Sequence, residues 1–246
     1  MKKYQLFALV FIMIATLFLG VQYSAPTMVY AEEIIEDPDL TPEPDLTPEE
    51  EKIEEQIFED LKRGGYEISV RTELEDSHLY SSLLQIIKDY IKATYNYNYK
   101  ETTLYSTMFK NFTEINISDM SITSLNGLEK FKFNELETLK ITNNELTTVK
   151  KELFTNMSKL KNLDLGCNKI TSIDLSTAVG LEKINLSSNN LTELNLEKIE
   201  SQNINVNLAS NDFVDITKIV LPTRVSSINL NLLSLSTISN VVSNAS

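Results

Sequence analysis

The chain holds one histidine, His78, and one cysteine, Cys167, in 246 residues. A thiol nucleophile needs a base within hydrogen-bond reach, and a zinc site needs three or four ligands. A lone imidazole and a lone thiol, far apart in the chain, supply neither. No H-E-x-x-H and no G-x-S-x-G occurs. The sequence therefore predicts no enzyme, no metal and no cofactor. His78 falls at the start of a helical stretch and reads as a surface residue. Cys167 reads either as a small semi-buried residue or as an exposed thiol that pairs between chains. One cysteine rules out an internal disulfide framework, so stability must come from an apolar core.

The recurrent polar chemistry is carried by amides. In "LEKINLSSNNLTEL", Leu181 to Leu194, apolar residues at 181, 184, 186, 191 and 194 surround Asn189. Related stretches begin at Phe112, Leu136, Leu160, Asn203 and Val225, so successive starts are 24, 24, 21, 22 and 22 residues apart. A period in the low twenties with L-x-x-L-x-L-x-x-N-x-L is the leucine-rich repeat pattern. The asparagine slot reads Met120, Asn144, Asn168, Asn189, Asn211 and Leu233. Each repeat must turn a corner after its strand, where backbone N–H and C=O groups point inward. One asparagine has two donors and an acceptor, enough to bond the backbone of its own turn and of the next. Asn144, Asn168, Asn189 and Asn211 therefore read as a structural ladder. It is lost at the two ends, where a coil has one neighbour.

A second set of polar residues lies within the strands. Side chains alternate across a strand, so the residues between the inward leucines share the concave face. One column reads Glu114, Thr138, Asn162, Lys183, Asn205 and Ser227; the other reads Asn116, Lys140, Asp164, Asn185, Asn207 and Asn229. These are the candidate binding residues. The columns are amide-rich and lack the aromatic anchors of tight protein interfaces. They read as a hydrogen-bonding surface for a protein, peptide or glycan, or as a merely solvated sheet face.

The elements that position these columns follow from the pattern. The fold class is an α/β solenoid, with short parallel strands on the concave side and 3₁₀ or short helices on the convex side. Residues 112–246 make about six repeats, and "SNVVSNAS" at the end shows no amphipathic closing unit. "KKELFTNMSK", Lys150 to Lys159, has room for one or two helical turns. An open solenoid end exposes core leucines. The helical segment 51–111 therefore reads as an N-terminal cap. Ile53, Ile57, Phe58 and Leu61 form one face of its first helix, and a second helix runs over about 77–93. Tyr95, Tyr97 and Tyr99 alternate in sequence; they read either as a sugar-stacking platform or as packing against the cap.

Ahead of the cap, residues 32–50 contain one hexapeptide twice, "PDLTPEPDLTPE". This acidic, proline-containing stretch cannot bury enough surface to order itself and reads as a spacer. No glycine-turned ligand loop is present for calcium. Residues 1–31 carry Lys2 and Lys3, an apolar run from Leu6 to Gly20 and the phrase "VYA" at 29–31. That is an export signal cut after Ala31, or after Ala25. The run is shorter than the about 20 residues of a membrane anchor, so no membrane insertion is expected after cleavage. Formal net charge is −13, and Glu32–Asp60 alone holds fourteen acidic residues against one lysine. The remaining 61–246 are nearly neutral, with no basic footprint for nucleic acid.

The layout resembles the internalin family of secreted leucine-rich repeat proteins of Gram-positive bacteria. "FTEINISDMSITSLNGLEKF", Phe112 to Phe131, looks like a first internalin-type repeat ending in the S-x-x-G-[LI] phrase, here "SLNGL" at 124–128. The helical stretch before it is placed like that family's cap. The resemblance implies a secreted or cell-surface binding protein and host contact, with no particular receptor. It departs from the family in having no immunoglobulin-like unit and no L-P-x-T-G. Two functional readings stand: an exported binding module, or a non-catalytic spacer or N-terminal part of a longer surface protein or surface enzyme.

Overall fold

The computed structural model describes residues 45–68 and 73–231. The expected signal at 1–31, most of the expected spacer, the Leu233 slot and the end expected to be uncapped lie outside the described residues. No helix among the described residues is long and apolar enough to cross a membrane.

Six parallel strands form one sheet in chain order: β1 (Glu114–Asn116), β2 (Thr138–Lys140), β3 (Asn162–Asp164), β4 (Lys183–Asn185), β5 (Ile204–Asn207) and β6 (Val225–Asn229). Each strand pairs with its sequence neighbour, as a solenoid requires. The central residues Ile115, Leu139, Leu163, Ile184 and Val206 all point into the core and are buried. On the return path the chain forms short 3₁₀ turns at Leu128–Lys130, Lys151–Asn156 and Ile216–Lys218. The six-residue turn at 151–156 is the helical piece expected within "KKELFTNMSK".

The corners carry the asparagine ladder. Asn144, Asn168, Asn189 and Asn211 are all buried. The Oδ1 of Asn189 accepts from Ile170 N at 2.9 Å, and its Nδ2 donates to Leu165 O at 3.0 Å and Leu186 O at 3.1 Å. Asn211 repeats the pattern one coil on, accepting from Leu191 N and donating to Leu186 O and Leu208 O. Each asparagine thus serves its own coil and the preceding one. The expected reach toward the next coil is reversed. The reversal supplies a reason for Met120: no repeat precedes the first coil, so a side chain there has no earlier corner to hold. Met120 is half-exposed, and its own N–H is taken by Asn144 Oδ1 at 3.1 Å.

Asn189→Ala leaves the buried Ile170 amide without its acceptor and takes one of two donors from each of the Leu165 and Leu186 carbonyls, which keep Asn168 and Asn211. The expected loss is about 1–3 kcal/mol. Asn190, one residue on, is exposed and holds only Asp212 at 3.0 Å. Asn190→Ala should stay within about 0.5 kcal/mol. Equal losses at both positions in urea melts would refute this register.

The N-terminal helix α1 (Pro48–Ile57) starts on a capping box. Thr47 Oγ1 accepts from Glu50 N, and Glu50 Oε2 accepts from Thr47 N at 2.9 Å. The second copy of the hexapeptide therefore supplies a helix start, and α1 begins at Pro48, within the stretch expected to be spacer. A π turn at Phe58–Lys62 continues α1. Ile57 and Leu61 are buried, whereas Phe58 is 49% exposed, contrary to its expected inward place. Ile53, Ile57 and Leu61 recur every fourth residue and make the stripe. Phe58 lies about 100° further round the helix.

Helix α2 (Ser77–Tyr95) buries Leu79, Leu83, Leu84, Ile87 and Ile91 and stops at Asn96 in the left-handed region, φ 52°. These residues share one apolar core with the coils. Phe109 sits at the junction, 5.3 Å from the Phe131 ring and 6.1 Å from the Phe133 ring, centre to centre.

Candidate functional site

The parallel register aligns both polar columns. Glu114, Thr138, Asn162, Lys183, Asn205 and Ser227 are successive partners across the sheet, as are Asn116, Lys140, Asp164, Asn185, Asn207 and Asn229. Apart from Asn116, all of them line one open groove of about 680 Å³ on the concave face. The structure therefore brings the sequence-derived candidates together on a single surface.

That surface is partly self-satisfied. In the first column Glu114 accepts from Lys140 Nζ at 2.7 Å, and Asn162 donates to Thr138 Oγ1 at 3.0 Å. The Glu114 carboxylate beside it, with a lesser contribution from Asp164, raises the Lys140 pKa above the ordinary lysine value. Ser227 donates to Asn205 Oδ1 at 2.6 Å. Charges alternate along the N-terminal coils through Glu114, Lys140, Asp164 and Lys183. Beyond Lys183 the groove is neutral.

In the second column the acidic and amide residues double as turn formers. Asn116, Asp164, Asn185, Asn207 and Asn229 each use Oδ1 to accept the backbone N–H two residues on, at 3.1–3.2 Å. This is an Asx turn, which starts the corner after each strand. Lys140 is the exception, and Thr142 N is held instead by Ser118 Oγ at 3.1 Å. Neither the binding-surface reading nor the solvated-face reading of these side chains includes this role. The signal was present in the sequence as an Asx residue recurring two positions before a small or flexible residue.

The corners hold a further column that the sequence did not reveal. Asp119, Asn143, Cys167, Ser188 and Ser210, each just before the asparagine slot, have φ between 52° and 63°. That region is unfavourable for residues other than glycine and is best tolerated by asparagine and aspartate. Cys167 is exposed there, which corrects the semi-buried reading.

The remaining candidates lie elsewhere. Tyr95 donates to Asp60 at 2.6 Å, Tyr97 to Glu54 at 2.6 Å and Tyr99 to Glu101 at 3.0 Å. Burial first, then the adjacent carboxylates, raise all three phenol pKa values. Tyr97 and Tyr99 are buried, so the trio is packing for the helical segment and no stacking platform. His78 is exposed at the start of α2, as expected, 3.7 Å from Asp76. Among the described residues no group of three or more His, Cys, Asp or Glu could hold a metal ion.

Comparison with known proteins accords with this geometry. Residues 134–191 match the leucine rich repeat family model. None of the curated proteins matches the sequence. Among solved structures, internalin inlF from Listeria monocytogenes shares 18% identity, covering 62% of this chain and 48% of its own, at a TM-score of 0.46. The functional domain of InlJ from the same organism, which includes a cysteine ladder, shares 18% identity over 70% of this chain and 48% of its own, at a TM-score of 0.39. Internalin C2, also from Listeria monocytogenes, shares 13% over 67% of this chain and 97% of its own, at a TM-score of 0.34. The chain thus spans about half the length of the first two, 48% in each case. Six coils in parallel register, an asparagine at four of their corners and the family match over 134–191 give this chain a leucine-rich repeat solenoid.

Proposed function

We propose that the chain is an exported, non-enzymatic binding protein that meets its ligand on the concave face. The observation that carries this reading is the in-register pair of polar columns lining one groove across six strands. Solenoids use such concave surfaces for recognition. In this reading residues 1–31 direct export and are removed. The acidic segment that follows tethers the domain, and residues 51–111 seal the first coil. The ligand is a protein, peptide or glycan at the cell surface, host molecules included. Without an aromatic or arginine anchor, affinity is modest and spread over several coils.

The test uses the protein recovered from culture medium, whose mass reports cleavage after Ala31, probed against protein and glycan arrays. Lys183→Glu reverses the charge at the centre of the groove; Lys198→Glu makes the same change on the exposed return segment. Capture is expected to fall roughly tenfold or more with Lys183→Glu, a change of about 1.4 kcal/mol, and to be unaffected by Lys198→Glu. Equal capture by both variants would overturn the concave-face reading. An intact Met1 on protein retained in the cell would overturn export.

A further inference from the structure

The Asx turns fix which end of each amide faces a ligand. A backbone N–H must meet an oxygen, so Asn207 and Asn229 have their Oδ1 turned to Ala209 N and Asn231 N and their –NH₂ turned to the groove. Neither nitrogen donates to a protein acceptor among the described residues, and the Lys183 ammonium has no carboxylate partner among them. At Asn185 the –NH₂ is occupied, donating to Asp164 Oδ1 at 2.8 Å. The C-terminal half of the groove is therefore a row of unused donors, from Lys183 through Asn207 to Asn229.

Resting on the concave-face reading, we propose that this row recognises an acceptor-rich N-acetylated glycan lying along the solenoid axis, across the strands. The repeat distance favours a glycan over a peptide. Strands are about 4.8 Å apart, whereas the like-facing groups of an extended peptide recur every two residues, at about 6.7 Å. One sugar ring of an extended β-1,4-linked glycan advances by close to the strand spacing, and although alternate rings are turned over, both edges of a ring carry oxygen acceptors, so each coil meets one sugar. The absence of apolar anchors in the columns also disfavours a protein partner. Ring hydroxyls and acetamido carbonyls supply the oxygens that the donors need.

Aspartate separates recognition from folding at these positions. Asp164 occupies the same column and makes the same turn, with Oδ1 accepting from Gly166 N at 3.1 Å. Asn207→Asp and Asn229→Asp therefore keep the turn acceptor and replace the outward –NH₂ by an oxygen. Oligomers of β-1,4-linked N-acetylglucosamine are titrated into the exported chain, following its side-chain amide NMR signals. The Asn207 and Asn229 –NH₂ signals should shift. The double aspartate variant should bind at least roughly tenfold more weakly, with an unchanged melting temperature. Failure of the oligomers to bind at millimolar concentration overturns the glycan assignment, as does undiminished binding by the double variant. A protein ligand lost with Lys183→Glu but indifferent to both aspartates also overturns it, while leaving the concave-face reading intact.

Discussion

Gly127→Ala is expected to destabilise the protein by about 4 kcal/mol, roughly two to four times the effect of the same change at Gly64. Both glycines have positive φ, 95° at Gly127 and 75° at Gly64. A β-carbon at Gly64 would meet nothing within 4 Å, whereas one at Gly127 would lie 1.7 Å from the Glu73 carbonyl oxygen and 3.1 Å from Leu74 Cα. Gly64→Ala thus reports backbone strain alone, about 1–2 kcal/mol. Gly127→Ala adds a collision with main chain that no rotamer change relieves. The contact is where the segment leading into α2 crosses the first coil. Leu128 N donates to Leu125 O at 3.0 Å, which closes a turn that places Gly127 in its third position. Urea melts of the two variants decide the matter. Equal losses would show that the close approach does not fix the glycine.

This glycine illustrates how far the fold was legible. The "SLNGL" phrase was recognisable as a resemblance, but its reason was not, because the atom that forbids a β-carbon belongs to Glu73, 54 positions earlier. What repeats with the coil could be read directly. The apolar slots, the asparagine corners and the concave columns each recur once per coil, so period and face follow from spacing. What depends on direction or on long-range contact could not. Whether Asn189 reaches forward or back needs the path of the chain after the corner. That Asn207 presents its nitrogen rather than its oxygen needs the Asx turn. Tyr97 looked free in an alternating run, yet Glu54 claims its hydroxyl from 43 residues away. Cross-coil ion pairs stand in between. Lys159–Glu135, Lys161–Glu137 and Lys169–Glu145 are each separated by the 24-residue coil length. They lie on exposed surface and contribute little each.

Asp76→Asn is expected to remove about 2–4 kcal/mol at neutral pH and to flatten the response of stability to acid. Asp76 is 5% exposed and joins the helical segment to the solenoid. Its Oδ1 caps α2, accepting from His78 N at 2.8 Å and Leu79 N at 3.0 Å. Its Oδ2 accepts from Thr123 N at 2.6 Å, Thr123 Oγ1 at 2.7 Å and Ser124 N at 3.3 Å in the first coil. Asparagine can present oxygen to only one of these groups, so either the helix start or the coil faces an –NH₂. Burial alone would raise the Asp76 pKa. The hydrogen bonds from Thr123, Leu79 and His78 outweigh it and hold the carboxyl below the ordinary aspartate value. The sign follows: the stabilisation is fully present above the unfolded value of about 3.9 and is lost as pH falls through it toward the folded value. Glu50, Asp60, Asp174 and Asp215 are also lowered, but they lie at the surface and remain in the variant. The informative quantity is therefore the difference between wild type and Asp76→Asn in urea melts at pH 7, 5 and 3. That difference should shrink as the wild type is protonated, because the variant has already lost the charge. A constant difference across the series would mean that Asp76 acts through its shape alone. The joint between helix and coil would then owe nothing to the carboxylate.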